Sequence, residues 1–150
     1  MNTAILLEKA CRDIARQSGL TTVEVDSIYM GSASPDGGYS GSQSTLVLPC
    51  VIFHVTSAVP YVPRSQARRC TLRTIVRTQR DDETQEDHRL RCDEVFNLVR
   101  GSDFYAELKA YDDLTILLSV EQGETETQGE RTLETVLEQT IDAVPSEIRS

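Results

Sequence analysis

The sequence predicts a single α+β domain, and three observations carry that reading. Amphipathic helical stripes occupy residues 1–19 and 82–100, and several β-prone runs lie between and after them. At 150 residues the chain has the length of one domain core. No internal repeat occurs, and no linker marks a second domain.

The first helix rests on Leu7, Ala10, Cys11, Ile14 and Ala15, which recur at i, i+3, i+4, i+7 and i+8. Asn2 or Thr3 can cap its start, and Gly19 sits where a left-handed residue ends a helix. Thr21–Tyr29 alternates Val23 and Val25 and reads as a short strand. Residues 31–44 (GSASPDGGYSGSQS) are almost free of apolar side chains, which predicts a flexible Gly/Ser loop or a flap ordered by a partner.

Leu46–Thr56 is the most β-prone run, with Pro49 near its start. Residues 57–67 carry Pro60 and Pro63 and predict an extended loop, long enough to protrude as an arm. Arg68–Gln79 is a second strong strand. Its even positions Cys70, Leu72 and Val76 look inward, and its odd positions Arg69, Thr71, Arg73 and Arg77 form a basic outer row interrupted by Ile75.

Asp82–Arg100 opens on Asp and Glu, which suit the positive end of a helix dipole. His88, Cys92, Val95, Phe96 and Val99 form its inner stripe, and Gly101 is expected as a left-handed stop. Ser102 can cap a short helical turn through Lys109. Leu114–Val120 reads as a buried strand and Gln122–Glu130 as a polar loop. In 131–144 the positions Leu133, Val136, Leu137, Thr140 and Ile141 fit a helix stripe, while the Thr content fits a strand; periodicity leaves both open.

Composition is globular: 39% hydrophobic, 26% charged and 5% aromatic, without Trp. A net charge of −9 argues against a free-standing binder of DNA or anionic membrane. No apolar run approaches the ~20 residues that span a bilayer. The charge is uneven, +4 over residues 1–80 and −13 over 81–150. Four cysteines (Cys11, Cys50, Cys70, Cys92) show no zinc spacing, and the N-terminus lacks a secretory h-region. Synthesis in the cytosol with reduced, mostly buried thiols is the expectation.

Residue types that carry catalysis are scarce. His54 lies in a strand and reads as structural. His88 and Cys92 stand i, i+4 on one helix face, a spacing for two metal ligands, yet zinc needs at least one more and no second cluster supplies it. Asp81, Asp82, Glu83, Glu86 and Asp87 lack EF-hand spacing and suit a solvated helix start. The Gly-rich loop has no phosphate-binding frame, and no nucleophile elbow occurs. The expectation is a non-enzyme with no catalytic residues, metal or cofactor. The patterned surface feature is the arginine row Arg64, Arg68, Arg69, Arg73, Arg77 and Arg80. Arginine without lysine favours interfaces over bulk water.

In order, the segments run from a helix through a short strand and variable loop to a paired β unit, an acidic helix and a closing β unit with a glycine loop. Ile75-Val76-Arg77-Thr78 leads to Asp82, Thr84, Asp87 and His88, and Gly129-Glu130-Arg131-Thr132 precedes the last segment. In this order and in these passages the chain resembles the tail-terminator and tail-completion proteins of long-tailed bacteriophages. The long Gly/Ser loop and the Pro-containing excursion depart from a typical member.

The resemblance implies a mainly antiparallel four- to five-stranded sheet with two main helices packed on it, and a strand at 131–144. It implies a virion protein of the phage tail or neck, assembled in the host cytoplasm. Its partners would be itself in a ring, commonly a hexamer, then the tail tube protein and the head–tail connector, with DNA only as a passing genome and no membrane. Arg64, Arg68, Arg69, Arg73 and Arg77, with Tyr61 and Tyr39, are then candidates for the subunit or partner interface. Glu121, Glu124, Glu126 and Glu130 are candidates for an acidic channel or rim that would let DNA slide. Rival readings are a connector stopper or a tail tube protein, and, from another class, a nucleic-acid-binding module using the Arg-rich strand.

Overall fold

A computed structural model describes residues 2–31, 47–60, 62–63, 65–79, 84–128 and 132–146. The elements are α1 (Thr3–Gln17), β1 (Ile28–Met30), β2 (Cys50–Pro60), β3 (Arg68–Gln79), α2 (Gln85–Arg100), α3 (Ser102–Lys109), β4 (Leu114–Gln128) and β5 (Thr132–Pro145). One five-stranded sheet has the order β1-β2-β3-β5-β4. β1 runs parallel to β2, and the other three pairings are antiparallel. The chain is therefore α+β with a mixed sheet and three helices, two long ones and a short third where a helical turn was expected.

α1 forms where its stripe predicts. The Asn2 side chain accepts the Ile5 N–H, Leu7, Ala10, Cys11, Ile14 and Ala15 are buried, and Gly19 takes φ +78° just past the end. The Thr21–Tyr29 strand is shorter than expected. A 3-10 turn over Val25–Ser27 leaves Val25 half exposed, and only Ile28–Met30 pair with β2.

The helices lie on one face of the sheet. Their apolar side chains join those of the alternate strand positions in one core, including Val51, Phe53, Cys70, Leu72, Val76, Leu137 and Ile141. Phe53 stacks on Phe104 with centroids 6.5 Å apart. Phe96 is fully buried, so truncating it to Ala would cost about 3–5 kcal/mol. Glu94 of α2 ties the connector after α1 to this layer, accepting the N–H and hydroxyl of both Thr21 and Thr22 at 2.5–3.2 Å.

Several boundaries differ from expectation. Gly101 is not left-handed (φ −68°); α2 turns there directly into α3, with a backbone so close that a Cβ would sit 3.2 Å from the Leu98 carbonyl oxygen. It is Gly101 that precedes α3, and Ser102 is its first residue rather than its cap. The stretch from residue 57 to Pro60, expected as loop, continues β2 after a bulge at Val55/Ser57, and Pro60 comes at the strand end, where its missing N–H costs no ladder bond. Gln122–Gln128, also expected as loop, continues β4 against β5. Of the 131–144 segment, the described residues from Thr132 onward lie in strand β5, which is paired on both sides. The 31–44 loop lies outside the described residues except for Gly31.

Candidate functional site

Among the described residues no helix covers the second face of the sheet. β3 presents its odd positions there and β5 its even ones, because the ladder sets Arg69 opposite Asp142, Arg73 opposite Glu138 and Arg77 opposite Glu134. Each pair closes an ion pair. Arg69 forks onto both oxygens of Asp142 at 2.9 Å, Arg73 reaches Glu138 at 3.1 Å, and Arg77 holds Glu134 at 2.9–3.1 Å. Asp142 and Arg77 are nearly buried, whereas Arg73 and Glu138 are exposed. Between Arg73 and Arg77, Ile75 packs with Cys50, Ile52 and Val136, beside Tyr29 and Leu48.

The arginine row is thus a neutralised surface. Three guanidinium charges meet three carboxylates in register, which leaves little positive potential to draw phosphates. Of the expected interface residues, this face unites Arg69, Arg73 and Arg77. Arg68 faces differently, donating to the backbone carbonyls of Ser65 and Ala67 at the foot of the β2–β3 connection. Tyr39, Tyr61, Arg64 and Arg80 lie outside the described residues.

Glu121, Glu124 and Glu126 occupy β4 on the side turned toward α2. Arg100 donates to Glu121 at 2.7–3.1 Å and to Glu124 at 2.9 Å, while its guanidinium rests 5.9 Å from the Phe96 ring centroid. These hydrogen bonds lower the Glu121 carboxyl against the opposing effect of burial, and raise Arg100 further above its already high value. Glu126 is lowered chiefly by the Gln85 amide, with Arg89 adding to it. The three candidate rim acids are therefore clamps between β4 and α2; Glu130 lies outside the described residues.

His88 is fully buried. Thr78 Oγ1 lies 2.9 Å from its Nδ1, Thr135 Oγ1 2.9 Å from its Nε2, and Cys92 Sγ 3.4 Å from Nε2. Both ring nitrogens are engaged by hydroxyls, so the group joins α2 to β3 and β5. Among the described residues no three His, Cys, Asp or Glu side chains are grouped to hold a metal. His54 is half-buried, with Nδ1 3.2 Å from Glu8.

The cysteines are all buried and unpaired in disulfides. Burial raises Cys50 to about 12, with Arg77 opposing the shift; burial likewise raises Cys70 and Cys92 to about 11. Such thiols stay protonated at neutral pH and are poor nucleophiles. A depression of about 400 Å³ lies between the ends of α1 and α3, bordered by Asp13, Glu107, Tyr111, Asp112 and Asp113. Burial, then Asp13, raises the Tyr111 phenol, whose hydroxyl points at that carboxylate.

No protein-family model matches the chain, and no curated protein matches it. Among the described residues no helix is long and apolar enough to cross a membrane.

Sequence reasoning found the arginine row and missed its partners. Glu134, Glu138 and Asp142 recur every four residues, as Arg69, Arg73 and Arg77 do, and that shared spacing was the available signal.

Proposed function

We propose that this chain is a structural assembly subunit, a terminator-like protein that forms a ring ending a phage tail tube and joins it to the head-side connector. The observation that supports this reading is the one-sided sheet: helices cover one face, and the other carries a charge-balanced ladder with apolar residues beside it. A face of that kind suits protein contact, because it combines apolar area with charged groups already held in place. The order of elements and the strand at Thr132–Pro145 agree with what the resemblance to tail terminators implies.

On this reading the Arg69–Arg73–Arg77 face is the surface offered to a neighbouring subunit or to the tube. A nucleic-acid module is the weaker reading, since these arginines are matched by carboxylates and no aromatic side chain accompanies them on β3. The glutamates of β4 remain part of a proposed rim only through their exposed oxygens, because α2 already holds them.

Electron micrographs of the purified protein test the proposal. Closed rings that cap purified tail tubes are expected, with no salt-dependent retention on DNA. Particles of single-chain mass at high concentration, without binding to tubes, would overturn it.

A further inference from the structure

Among the described residues the helix-free face of the sheet is open over one half only. Beyond Arg73 its side chains are enclosed: Ile75 and Arg77 are nearly buried, and Leu48 and Tyr29 pack against Cys50, Ile52 and Ile75. Toward the other end the register sets two rows across four strands. One is Val59–Arg69–Asp142–Leu118, the next Ser57–Thr71–Thr140–Val120, and Arg73 stands opposite Glu138 beyond them. Val59, Leu118 and Val120 are 48%, 48% and 44% exposed, so apolar area flanks the charged pairs on both sides.

The first row reads apolar, cation, anion, apolar, an order complementary to its own reverse. A second sheet can be laid on this face about a two-fold axis parallel to the strands, between β3 and β5. The rotation keeps each row at its level while placing β5 over β3 and β4 over β2. Val59 then meets the partner's Leu118, Arg69 the partner's Asp142 and Arg73 the partner's Glu138, each contact occurring twice. Ser57 and Thr71 meet the partner's Val120 and Thr140.

The other in-plane two-fold, running across the strands, lays β3 on β3 and β5 on β5. That sets arginine against arginine and carboxylate against carboxylate, which repel. Charge therefore selects the first axis. Sheets packed face to face keep their strands within about 30° of one another, so each row stays near its counterpart. Every guanidinium keeps its own carboxylate and gains a second, so covering the face strips no charge of its partner.

We infer that two copies of this chain pair through this half-face, isologously, about a two-fold axis parallel to the strands. The sheets meet over Ser57–Val59 and Leu118–Val120 and diverge beyond Arg73, where Leu48 and Tyr29 add a layer of their own. This names the neighbour at the surface described above and rests on that reading only in taking the face for a protein contact. A ring would need a second, different contact elsewhere on the chain.

Charge variants of the full chain test it by sedimentation at high concentration. Wild type should have the mass of two chains, or of a ring holding an even number. Arg73→Glu sets like charges against each other between copies, as does Glu138→Arg. Each alone should halve the mass with an unchanged circular dichroism spectrum. Their equimolar mixture should regain it, because the two chains then oppose unlike charges at both contacts. Arg73→Glu and Glu138→Arg combined in one chain should regain it as well. Leu118→Glu, at an open position, should halve the mass too, and it decides the matter if a charge variant fails to fold. A wild type of one chain or an odd number, full mass in any folded single variant, or no recovery in the mixture or the combined variant would overturn the inference. Full-mass rings that cap tubes in all three single variants would overturn it while leaving the ring proposal standing. Wild-type pairs that never close into rings or bind tubes would support it and sink the ring proposal.

Discussion

Arg69 and Asp142 face each other directly across the β3–β5 ladder, and the guanidinium forks onto both carboxylate oxygens at 2.9 Å. The Asp142 side chain is only 5% exposed, so its charge depends on this one guanidinium far more than the arginine, open to water, depends on it. The ladder thus grades from a sheltered pair to the open Arg73–Glu138 pair.

That gradation predicts unequal costs. Arg69→Ala strands a sheltered carboxylate and should lower unfolding stability by about 1–3 kcal/mol. Arg73→Ala breaks a pair open to solvent and should cost at most about 1 kcal/mol. Urea titrations of the two variants check the order, and equal losses would refute it.

His88 should prove to be a structural group. Replacing it with Leu keeps most of the volume but removes the partner of the Thr78 and Thr135 hydroxyls, for a loss of about 2 kcal/mol read as a lower melting temperature. Zinc added to wild type should leave that temperature unchanged. A zinc-dependent rise lost in His88→Leu would restore a metal site.

Glu94 should give stability a pH dependence. Burial pushes its carboxyl up, but the hydrogen bonds from Thr21 and Thr22 outweigh it and hold the group at about 2, against 4.5 ordinarily. Between those values the unfolded chain binds more protons than the folded one, so stability rises with pH there. The contribution is complete above about 4.5 and is lost as pH falls through about 2. Glu94→Gln should flatten the stability profile in that window; parallel profiles for the two proteins would refute the role.

The thiols report on unfolding. Cys50, Cys70 and Cys92 lie buried with raised values, and Cys11 is higher still through burial and the nearby Glu8. A thiol-reactive disulfide reagent should label none of them quickly in the native state and all four in denaturant. Fast native labelling of any one would contradict its burial.

Local periodicity announced the parts of the fold that meet water on one side and the core on the other. α1 is of this kind, with a clean stripe at Leu7–Ala15, and so is the first half of β3, where Cys70 and Leu72 are buried and Arg69 and Arg73 exposed; further along β3, Ile75 and Arg77 are enclosed on the outer side too. β5 was illegible because its inward positions include Thr135 and Gln139, while its outward ones face arginines rather than solvent. The distal half of β4 was illegible for a related reason: α2 holds its glutamates on one side, Thr125 and Thr127 stand on the other, and the strand is polar on both. Leu114–Val120 read as buried, yet it forms the sheet edge, and only Leu114 and Ile116 are enclosed. The carboxylate partners of the arginines stand 57–73 residues away in sequence, beyond any window that reads periodicity.

The ladder also works as a check on strand alignment. Its arginines and its carboxylates both recur every fourth residue, while a strand's faces alternate every second. A slip of β5 by two residues would keep Leu133, Leu137 and Ile141 toward the helices, so the apolar core alone tolerates it. That slip sets every arginine opposite a threonine or a valine: Thr140, Val136 and Thr132 in one direction, Val144, Thr140 and Val136 in the other. All three ion pairs are lost together, so a misaligned hairpin fails as a whole and the native alignment is selected by charge where hydrophobicity is indifferent.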